Sequence, residues 1–286
     1  MTIHELLRRG RVRLAQAGMS SPRLDAEVLL MAQLGVDRAE LLARLPEPVA
    51  PAIAAAFERA VARRAAGEPV AYITGQREFM GLDFLVEPGV LVPRPESEGL
   101  VEWGLARLQA RDQPARVVDV GTGSGALAVS LAHHAAGQPI PAPFIVASDR
   151  SPAALRVAAR NVARLAPGKV TLVRGDLLGW SRPGIDLILA NLPYLRPEQA
   201  NPSISWEPPE ALFAAEEGFA LYLALLPQAA RLLAPGGALA CEIDPAQRQI
   251  ALNSARRWFP EADTRITVAP DLAGHDRYLF VERGGH

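Results

Sequence analysis

Hydrophobic residues in the first 70 positions recur at helical spacing, and strand patterns are almost absent there. Ser21 and Pro22 have the residue types favoured at the cap and the first position of a helix. Two further helices are predicted over residues 39–45 and 51–66. The N-terminal region, residues 1–70, is therefore predicted to form a small helical bundle.

The spacing of hydrophobic residues changes after this bundle. Two short runs of alternating apolar and polar residues flank Gly81. This pattern predicts a β-hairpin between residues 77 and 86. Two closely spaced prolines follow the hairpin and disfavour helix. We therefore predict a β-hairpin linker over residues 71–90, with the domain boundary near residue 85.

Apolar runs typical of buried strands alternate with amphipathic helical segments over the remaining residues, 91–286. Strands are predicted over residues 116–120, 144–148, 170–173, 185–190, 238–243, 264–269 and 277–282. Helices are predicted over residues 96–109, 124–135, 152–165, 217–233 and 245–258. No helix separates the last two strands, so we expect them to form an antiparallel hairpin at the sheet edge. The predicted fold is an α/β domain with a mostly parallel, seven-stranded sheet.

Composition narrows the class of protein. The 286 residues include 30 basic and 31 acidic side chains, a net charge of −1, so we expect no nucleic-acid partner. Cys241 is the single cysteine, which excludes an internal disulfide and a cysteine-based zinc site. A signal peptide and a membrane-spanning apolar stretch are not evident. We therefore expect a cytoplasmic, globular protein without a membrane partner.

A glycine-rich turn follows the first strand of the predicted sheet and precedes a helix. Gly121, Gly123 and Gly125 allow a ligand to approach the backbone, and the helix N-terminus presents free N–H groups. Asp149 ends the next strand, where a carboxylate can accept both hydroxyls of a ribose. This pattern predicts a nucleotide site. By itself it does not distinguish NAD from S-adenosylmethionine.

The strand over residues 185–190 is followed directly by Asn191-Leu192-Pro193-Tyr194. This segment resembles the Asn/Asp-Pro-Pro-Tyr motif of enzymes that methylate a planar nitrogen, either an amide or a base amine. An amide nitrogen is a weak nucleophile because its lone pair is delocalised, so both N–H bonds must be held and the lone pair aimed. The Asn191 side-chain oxygen can accept one N–H and the Leu192 carbonyl the other, while Tyr194 can stack on the planar group. This chemistry requires no metal.

Taken together, these motifs resemble the release factor glutamine methyltransferase family, also called PrmC or HemK, over nearly the whole chain. The segments that carry the resemblance are the helical bundle, Tyr72–Phe79 with Gly81, Val92–Glu98, Asp119–Gly125, Asp149, Asp176, Asn191–Tyr194 and Trp206–Pro208. The resemblance implies a Rossmann-like methyltransferase sheet. It also implies N5-methylation of the glutamine in the Gly-Gly-Gln motif of class I peptide chain release factors, with S-adenosylmethionine as the methyl donor.

The resemblance also implies roles for individual residues. The expected contacts of S-adenosylmethionine are Gly121, Thr122, Gly123, Ser124, Gly125, Asp149, Asp176, Leu177 and Asn191. Substrate glutamine is expected to be held by Asn191, Leu192, Pro193 and Tyr194, with Asn191, Pro193 and Tyr194 as the catalytic residues. Residues 1–70 are expected to recognise the substrate, and residues 91–286 to carry the methyltransferase site.

Leu192 departs from the family pattern, which usually has proline at this position. The spelling Asn-Leu-Pro-Tyr is seen in rRNA adenine dimethyltransferases, so an adenine N6-methyltransferase acting on RNA or DNA is the alternative. A third hypothesis is a non-catalytic nucleotide-binding module. The N-terminal bundle favours the release factor enzyme, because the rRNA enzymes carry their extra domain after the catalytic one.

Four further charged residues are candidates for roles at the site. Arg94 and Glu96 could form a salt-bridged hinge or belong to the substrate cleft. Glu207 could line the glutamine channel. Glu242 ends a predicted strand, where it could face the cleft or serve only as a cap.

Overall fold

The computed structural model describes residues 1–202 and 204–285. Its chain divides into two compact units. The first comprises Met1–Gln76 together with Asn201–Trp206, and the second comprises Arg77–Ala200 together with Glu207–His286.

The first unit is helical. Its helices are α1 (Ile3–Gln16), α2 (Pro22–Leu34), α3 (Arg38–Ala43), α4 (Pro51–Ala65) and α5 (Val70–Thr74). A close contact joins α1 to α4, since a Cβ added at Gly10 would lie 2.6 Å from Phe57 Cζ. The predicted helices are confirmed, whereas the short helix α5 has no counterpart in the sequence-based prediction.

The predicted hairpin is present as strands β1 (Gln76–Phe79) and β2 (Leu82–Leu85). Met80 and Gly81 connect them, with φ values of 53° and 70°. Two consecutive positive φ values are characteristic of the tight turns that match the twist of antiparallel strands.

The second unit contains the predicted α/β succession. Its helices are α6 (Glu98–Gln109), α7 (Ala126–Ala136), α8 (Pro152–Leu165), α9 (Ala220–Leu232) and α10 (Arg248–Trp258). Its strands are β3 (Arg116–Val120), β4 (Phe144–Asp149), β5 (Val170–Arg174), β6 (Ile185–Ala190), β7 (Leu233–Glu242), β8 (Arg265–Pro270) and β9 (Asp276–Glu282).

These strands form one seven-stranded sheet in the order β5-β4-β3-β6-β7-β9-β8. Strands β3 to β7 pair in parallel, whereas β9 pairs antiparallel with both β7 and β8. The Rossmann-like, seven-stranded fold and the antiparallel hairpin at the edge are therefore confirmed. The direction of the strand order reverses between β3 and β6, and ligands bind at such switch points in open α/β sheets.

Alternate residues along the central strands face two separate hydrophobic cores. Val117 and Leu187 belong to one core, and Val118 and Ile188 belong to the other. Both faces of the central strands are therefore buried, as expected for a parallel sheet covered by helices.

Helix α9 begins later than the sequence pattern predicted. Glu216, Glu217 and Gly218 all have positive φ, at 53°, 56° and 80°. This backbone conformation cannot continue into an α-helix, so α9 begins at Ala220 and not at residue 217.

None of the helices in the described part of the chain is both long and apolar enough to cross a membrane.

Candidate active site

The carboxyl ends of β3, β4, β5 and β6 open into one pocket. Residues from the predicted site line it: Gly121, Thr122, Gly123, Ser124, Asp149, Asp176, Leu177, Asn191, Leu192 and Pro193. Arg94 and Ser97, from the segment before α6, also line this pocket. Gly125 and Tyr194 are predicted site residues that are not among its lining residues.

The glycine-rich turn passes close to the loop that follows β6. Gly121 has a φ of 71°, and a Cβ added there would lie 2.7 Å from Leu192 Cδ2. Gly123 has a φ of 55°, and an added Cβ would meet nothing within 4 Å. A side chain at either position would therefore be strained, and at Gly121 it would also collide with the neighbouring loop.

Asp149 fastens this turn to the end of β4. Its Oδ2 accepts a hydrogen bond from Gly123 N at 2.9 Å, and its Oδ1 accepts one from Ser151 N at 2.8 Å. Each carboxylate oxygen has a second lone pair, so Asp149 retains the capacity to accept two ribose hydroxyls.

Asp119 lies fully buried beneath the same turn. Its Oδ2 accepts hydrogen bonds from Thr122 Oγ1 at 2.5 Å and from Ala128 N at 3.2 Å, whereas Oδ1 has no partner within the described part of the chain. Burial raises the pKa of the Asp119 carboxyl to about 7, and the charge of Asp149 contributes to the rise. The two hydrogen bonds act against burial because they stabilise the ionised form.

Asn191 extends from the end of β6, and its amide nitrogen is fixed by two acceptors. Nδ2 donates to Ser97 Oγ at 2.8 Å and to Glu242 Oε2 at 3.1 Å. No hydrogen bond to Asn191 Oδ1 occurs among the described residues. Asn191 therefore contributes an uncommitted acceptor to the lining of the pocket.

Glu242 is the centre of this network. Ser97 Oγ donates to its Oε2 at 2.6 Å, and the Tyr194 hydroxyl donates to its Oε1 at 2.8 Å. Burial raises the pKa of Glu242, and the hydrogen bonds from Ser97 and Tyr194 oppose that rise. Burial and the adjacent Glu242 carboxylate together raise the pKa of Tyr194 well above its usual range. Tyr194 therefore remains a protonated donor.

Tyr222 fixes the backbone next to Asn191. Its hydroxyl accepts a hydrogen bond from Leu192 N at 3.1 Å and donates to the carbonyl oxygen of Glu242. Gln247 holds the next part of the loop, because its Nε2 donates to the carbonyl of Tyr194 at 3.0 Å. The Asn191–Tyr194 segment is thus held by side chains from α9, β7 and the residues before α10.

Arg94 and Glu207 form an ion pair within the second unit. Glu207 is only 3% exposed, and its Oε2 also accepts a hydrogen bond from Val92 N at 2.9 Å. The carbonyl of Glu96 accepts a hydrogen bond from the Tyr278 hydroxyl at 2.5 Å. Arg94 thus lines the pocket and forms its salt bridge with Glu207, while the suggested hinge remains a prediction.

Sequence reasoning assigned no role to Ser97, and it left Glu242 between two interpretations. Ser97 lies beside the charged residues of the Val92–Glu98 segment, and a serine in such a segment has no sequence signal that marks it as a site residue. Glu242 ends β7 at the same sheet edge as the other site residues, and this position was the available signal.

The pocket fits the cofactor that the sequence resemblance implies. Gly123 leaves open space, Asp149 can accept hydroxyls, and Leu177, whose φ is 47°, lines the pocket. Within residues 1–202 and 204–285, no group of three or more His, Cys, Asp or Glu side chains is placed to hold a metal ion.

Two family models match the chain. A PrmC N-terminal domain model matches residues 5–75, and a methyltransferase domain model matches residues 117–205.

Solved structures share the fold of a large part of this chain. A ribosomal protein L11 methylase from Lactobacillus delbrueckii subsp. bulgaricus is 23% identical, with a TM-score of 0.50, over 70% of this chain and 84% of that one. A 16S rRNA methyltransferase from T. thermophilus, solved in complex with AdoMet and guanosine, has a TM-score of 0.52 at 20% identity. That match covers 73% of this chain and 49% of the other.

Curated relatives match the chain from end to end. The release factor glutamine methyltransferase of Moorella thermoacetica is 44% identical over 99% of both chains. That of Deinococcus radiodurans is 37% identical over the full length of both. With this identity and coverage, the chain belongs to the release factor glutamine methyltransferase family.

Proposed function

We propose that this protein methylates the N5 amide nitrogen of the glutamine in the Gly-Gly-Gln motif of class I peptide chain release factors. S-adenosylmethionine supplies the methyl group from its sulfonium sulfur. The observation that carries the proposal is the Asn191 amide, whose nitrogen donates to Ser97 and Glu242 while its oxygen accepts no hydrogen bond from the residues that the structure describes. An acceptor oxygen in this position suits a substrate that presents N–H groups.

The methyl acceptor is held by two oxygens in this proposal. Asn191 Oδ1 accepts one N–H of the glutamine amide, and the carbonyl oxygen of Leu192 accepts the other. Leucine replaces the usual proline without loss of this carbonyl. The hydrogen bond between Leu192 N and the Tyr222 hydroxyl supports the backbone that proline would otherwise stiffen.

These two acceptors also assist the chemical step. As the glutamine nitrogen forms its bond to the methyl carbon, the bond from that carbon to the sulfonium sulfur would break, S-adenosylhomocysteine would leave, and the nitrogen would release one proton to water. The nitrogen becomes more positive during this transfer, and preorganised oxygens stabilise the developing charge. Tyr194 does not line the pocket in this structure. In this proposal it stacks on the planar amide once glutamine is bound, while its hydroxyl remains bound to Glu242. Pro193 completes the wall of the pocket between them.

The cofactor is held at the glycine-rich turn. In this proposal residues 121–124 contact it through the backbone, Asp149 accepts its ribose hydroxyls, and Asp176 and Leu177 line the adenine position. Gly125 does not line the pocket and supports the turn as the N-cap of α7. This arrangement leaves the loop after β6 for the substrate.

The N-terminal helical region, residues 1–70, recognises the release factor in this proposal, residues 71–90 act as the linker, and residues 91–286 carry the chemistry. The match of residues 5–75 to the PrmC N-terminal domain supports a role specific to this family. The near-neutral charge supports a protein substrate over a nucleic acid. Because release factors act on ribosomes, we place the reaction in the cytoplasm.

The proposal is tested in two parallel reactions, both of which contain the protein and labelled S-adenosylmethionine. One reaction also contains a class I release factor, and the other contains rRNA. We expect label on the release factor and none on rRNA. Label on rRNA adenine alone would support the alternative enzyme class and contradict the proposal. Binding of the cofactor without any transfer would instead support a non-catalytic module.

A further inference from the structure

Glu242 is buried and is surrounded by hydrogen-bond donors from separate parts of the chain. Glu242 is 1% exposed. Its carboxylate oxygens accept hydrogen bonds from Ser97 Oγ at 2.6 Å, Tyr194 Oη at 2.8 Å and Asn191 Nδ2 at 3.1 Å. Ser97 is itself 4% exposed and accepts a second hydrogen bond from Asn191 Nδ2. Glu242 does not line the pocket, so it acts through its neighbours.

This network distinguishes the two ends of the Asn191 amide. If the amide were rotated by half a turn, Oδ1 would face a Glu242 oxygen at about the distance that Nδ2 now occupies. Two acceptor oxygens at hydrogen-bond distance repel each other, and Nδ2 would then point away from its two acceptors. The orientation with Oδ1 uncommitted is therefore the favoured one.

We propose that Glu242 and Ser97 are positioning residues that hold Asn191 Oδ1 toward the methyl acceptor and so make the site selective for a primary amide. This inference rests on the proposed function. A glutamine amide presents N–H groups to Oδ1, whereas a glutamate carboxylate presents oxygens. Without the network, Asn191 could turn its nitrogen to the pocket and lose that distinction.

The same carboxylate couples Asn191 to Tyr194. Glu242 Oε2 accepts a hydrogen bond from Asn191 Nδ2, and Oε1 accepts one from the Tyr194 hydroxyl. One buried group on β7 therefore sets the positions of two residues on the loop after β6. Burial raises the pKa of Glu242, and the positive charge of Arg277 opposes that rise because it favours the ionised carboxylate.

Two substitutions at Glu242 separate orientation from charge. Glu242→Met has a similar length but no acceptor, and we expect kcat to fall by about 10- to 100-fold because Asn191 is no longer held in the productive orientation. Glu242→Gln keeps one oxygen that can accept from Asn191 and Ser97, while the Tyr194 hydroxyl can accept from its NH2 group. We expect Glu242→Gln to retain kcat within about threefold.

The decisive readout is a double-mutant cycle with Asn191→Ala. If Glu242 acts by orienting Asn191, Glu242→Met will cause less than about a twofold further loss of kcat in the Asn191→Ala background. Independent, multiplying losses would overturn the inference, as would a Glu242→Gln variant as inactive as Glu242→Met. A merely structural role would lower kcat in both backgrounds alike.

A milder variant and a control guard against misfolding. Ser97→Ala removes one acceptor of Asn191 Nδ2 with little change in volume, and we expect a smaller loss of kcat with unchanged affinity for S-adenosylmethionine. Ser130→Ala is the matched control, because Ser130 on α7 is also buried and its hydroxyl has no hydrogen-bond partner among the residues that the structure describes. Unchanged kcat in Ser97→Ala would overturn the role of this serine.

Selectivity is measured by competition with release-factor peptides that carry glutamine or glutamate. We expect the glutamate peptide to inhibit the unmodified enzyme weakly. We expect it to inhibit the Glu242→Met variant more strongly relative to the glutamine peptide. Equal selectivity in both enzymes would contradict the inference. If the unmodified enzyme transferred no methyl to a release factor at all, the proposed function itself would fail, and these outcomes are therefore distinguishable.

Discussion

The two sides of the pocket are built in different ways. The glycine-rich turn uses backbone atoms from a short stretch of sequence, with Asp149 as its main side-chain partner. The Asn191 side depends on side chains from Ser97, Asn191 and Glu242, which are separated by 94 and 51 positions along the chain.

This difference has a physical cause. Binding a nucleotide requires free N–H groups and room for close approach, which glycine and a helix N-terminus provide locally. A weak nucleophile is oriented by hydrogen-bond acceptors whose own direction is fixed. When such an acceptor is on a side chain, contacts from several helices and strands are needed to hold it. We therefore expect substitutions on the first side to change cofactor affinity and substitutions on the second to change turnover.

Asn191→Ala is expected to have the largest effect. Removal of the acceptor oxygen should lower kcat by about 100- to 1000-fold, with affinity for S-adenosylmethionine changed by less than about threefold. Single-turnover label transfer and calorimetric titration measure the two quantities. Asn253→Ala, at an exposed position on α10, is the control. Turnover close to that of the unmodified enzyme in Asn191→Ala would refute the assigned role.

Asp149→Ala should have the opposite profile. Loss of a charged hydrogen-bond acceptor is expected to weaken S-adenosylmethionine binding by about 10- to 100-fold, with a smaller change in kcat at saturating cofactor. Asp112→Ala, in the exposed loop before β3, is the matched control. Equal cofactor affinity in the two variants would show that the ribose assignment is wrong.

Gly121→Ala tests the close approach of the two loops. Gly121 and Gly168 have φ values of 71° and 72°, but an added Cβ meets Leu192 only at Gly121. Both alanine variants should lose about 1 kcal/mol of stability through backbone strain. Only Gly121→Ala should also weaken cofactor binding, by about tenfold. An equal cofactor affinity in both would mean that the contact with Leu192 is unimportant.

The smallest expected effect is the pH dependence of stability caused by Asp119. Burial raises its folded-state pKa from 3.8 to about 7, so the folded protein binds the proton more tightly than the unfolded chain. The resulting stabilisation is complete below the unfolded pKa and is lost as the pH rises through about 7.

Comparison with Asp119→Asn isolates this contribution. Relative to that variant, the unmodified protein should lose about 1 kcal/mol of unfolding free energy between about pH 6 and about pH 7.5, measured by urea denaturation without cofactor. Parallel curves for the two proteins would contradict the assignment to Asp119.

Most of the fold was predictable from the sequence because its signals are local. Strands β3 and β6 match the predicted bounds, since short, mostly apolar runs mark strands buried on both faces. The position of β9 between β7 and β8 was not predictable, because strand order depends on pairing between distant residues. The late start of α9 depends on positive φ at Glu216 and Glu217, residue types that give no such signal.

The candidate site divides in the same way. The glycine-rich turn and Asn191 were recognisable because each is a short motif after a strand. Ser97 and Tyr222 were not, because their importance arises only when the fold brings them to Asn191 and to Leu192 N. A serine in a charged segment and a tyrosine in an apolar helix have no distinctive pattern of their own.

The most direct test of the account is the mass and position of the methyl group on a purified release factor after incubation with this protein and S-adenosylmethionine. Peptide mapping should find one added methyl group on the side-chain amide of the Gly-Gly-Gln glutamine, and none on a release factor with alanine at that position. A methyl group at another site, or an unmodified glutamine after complete reaction, would contradict the account.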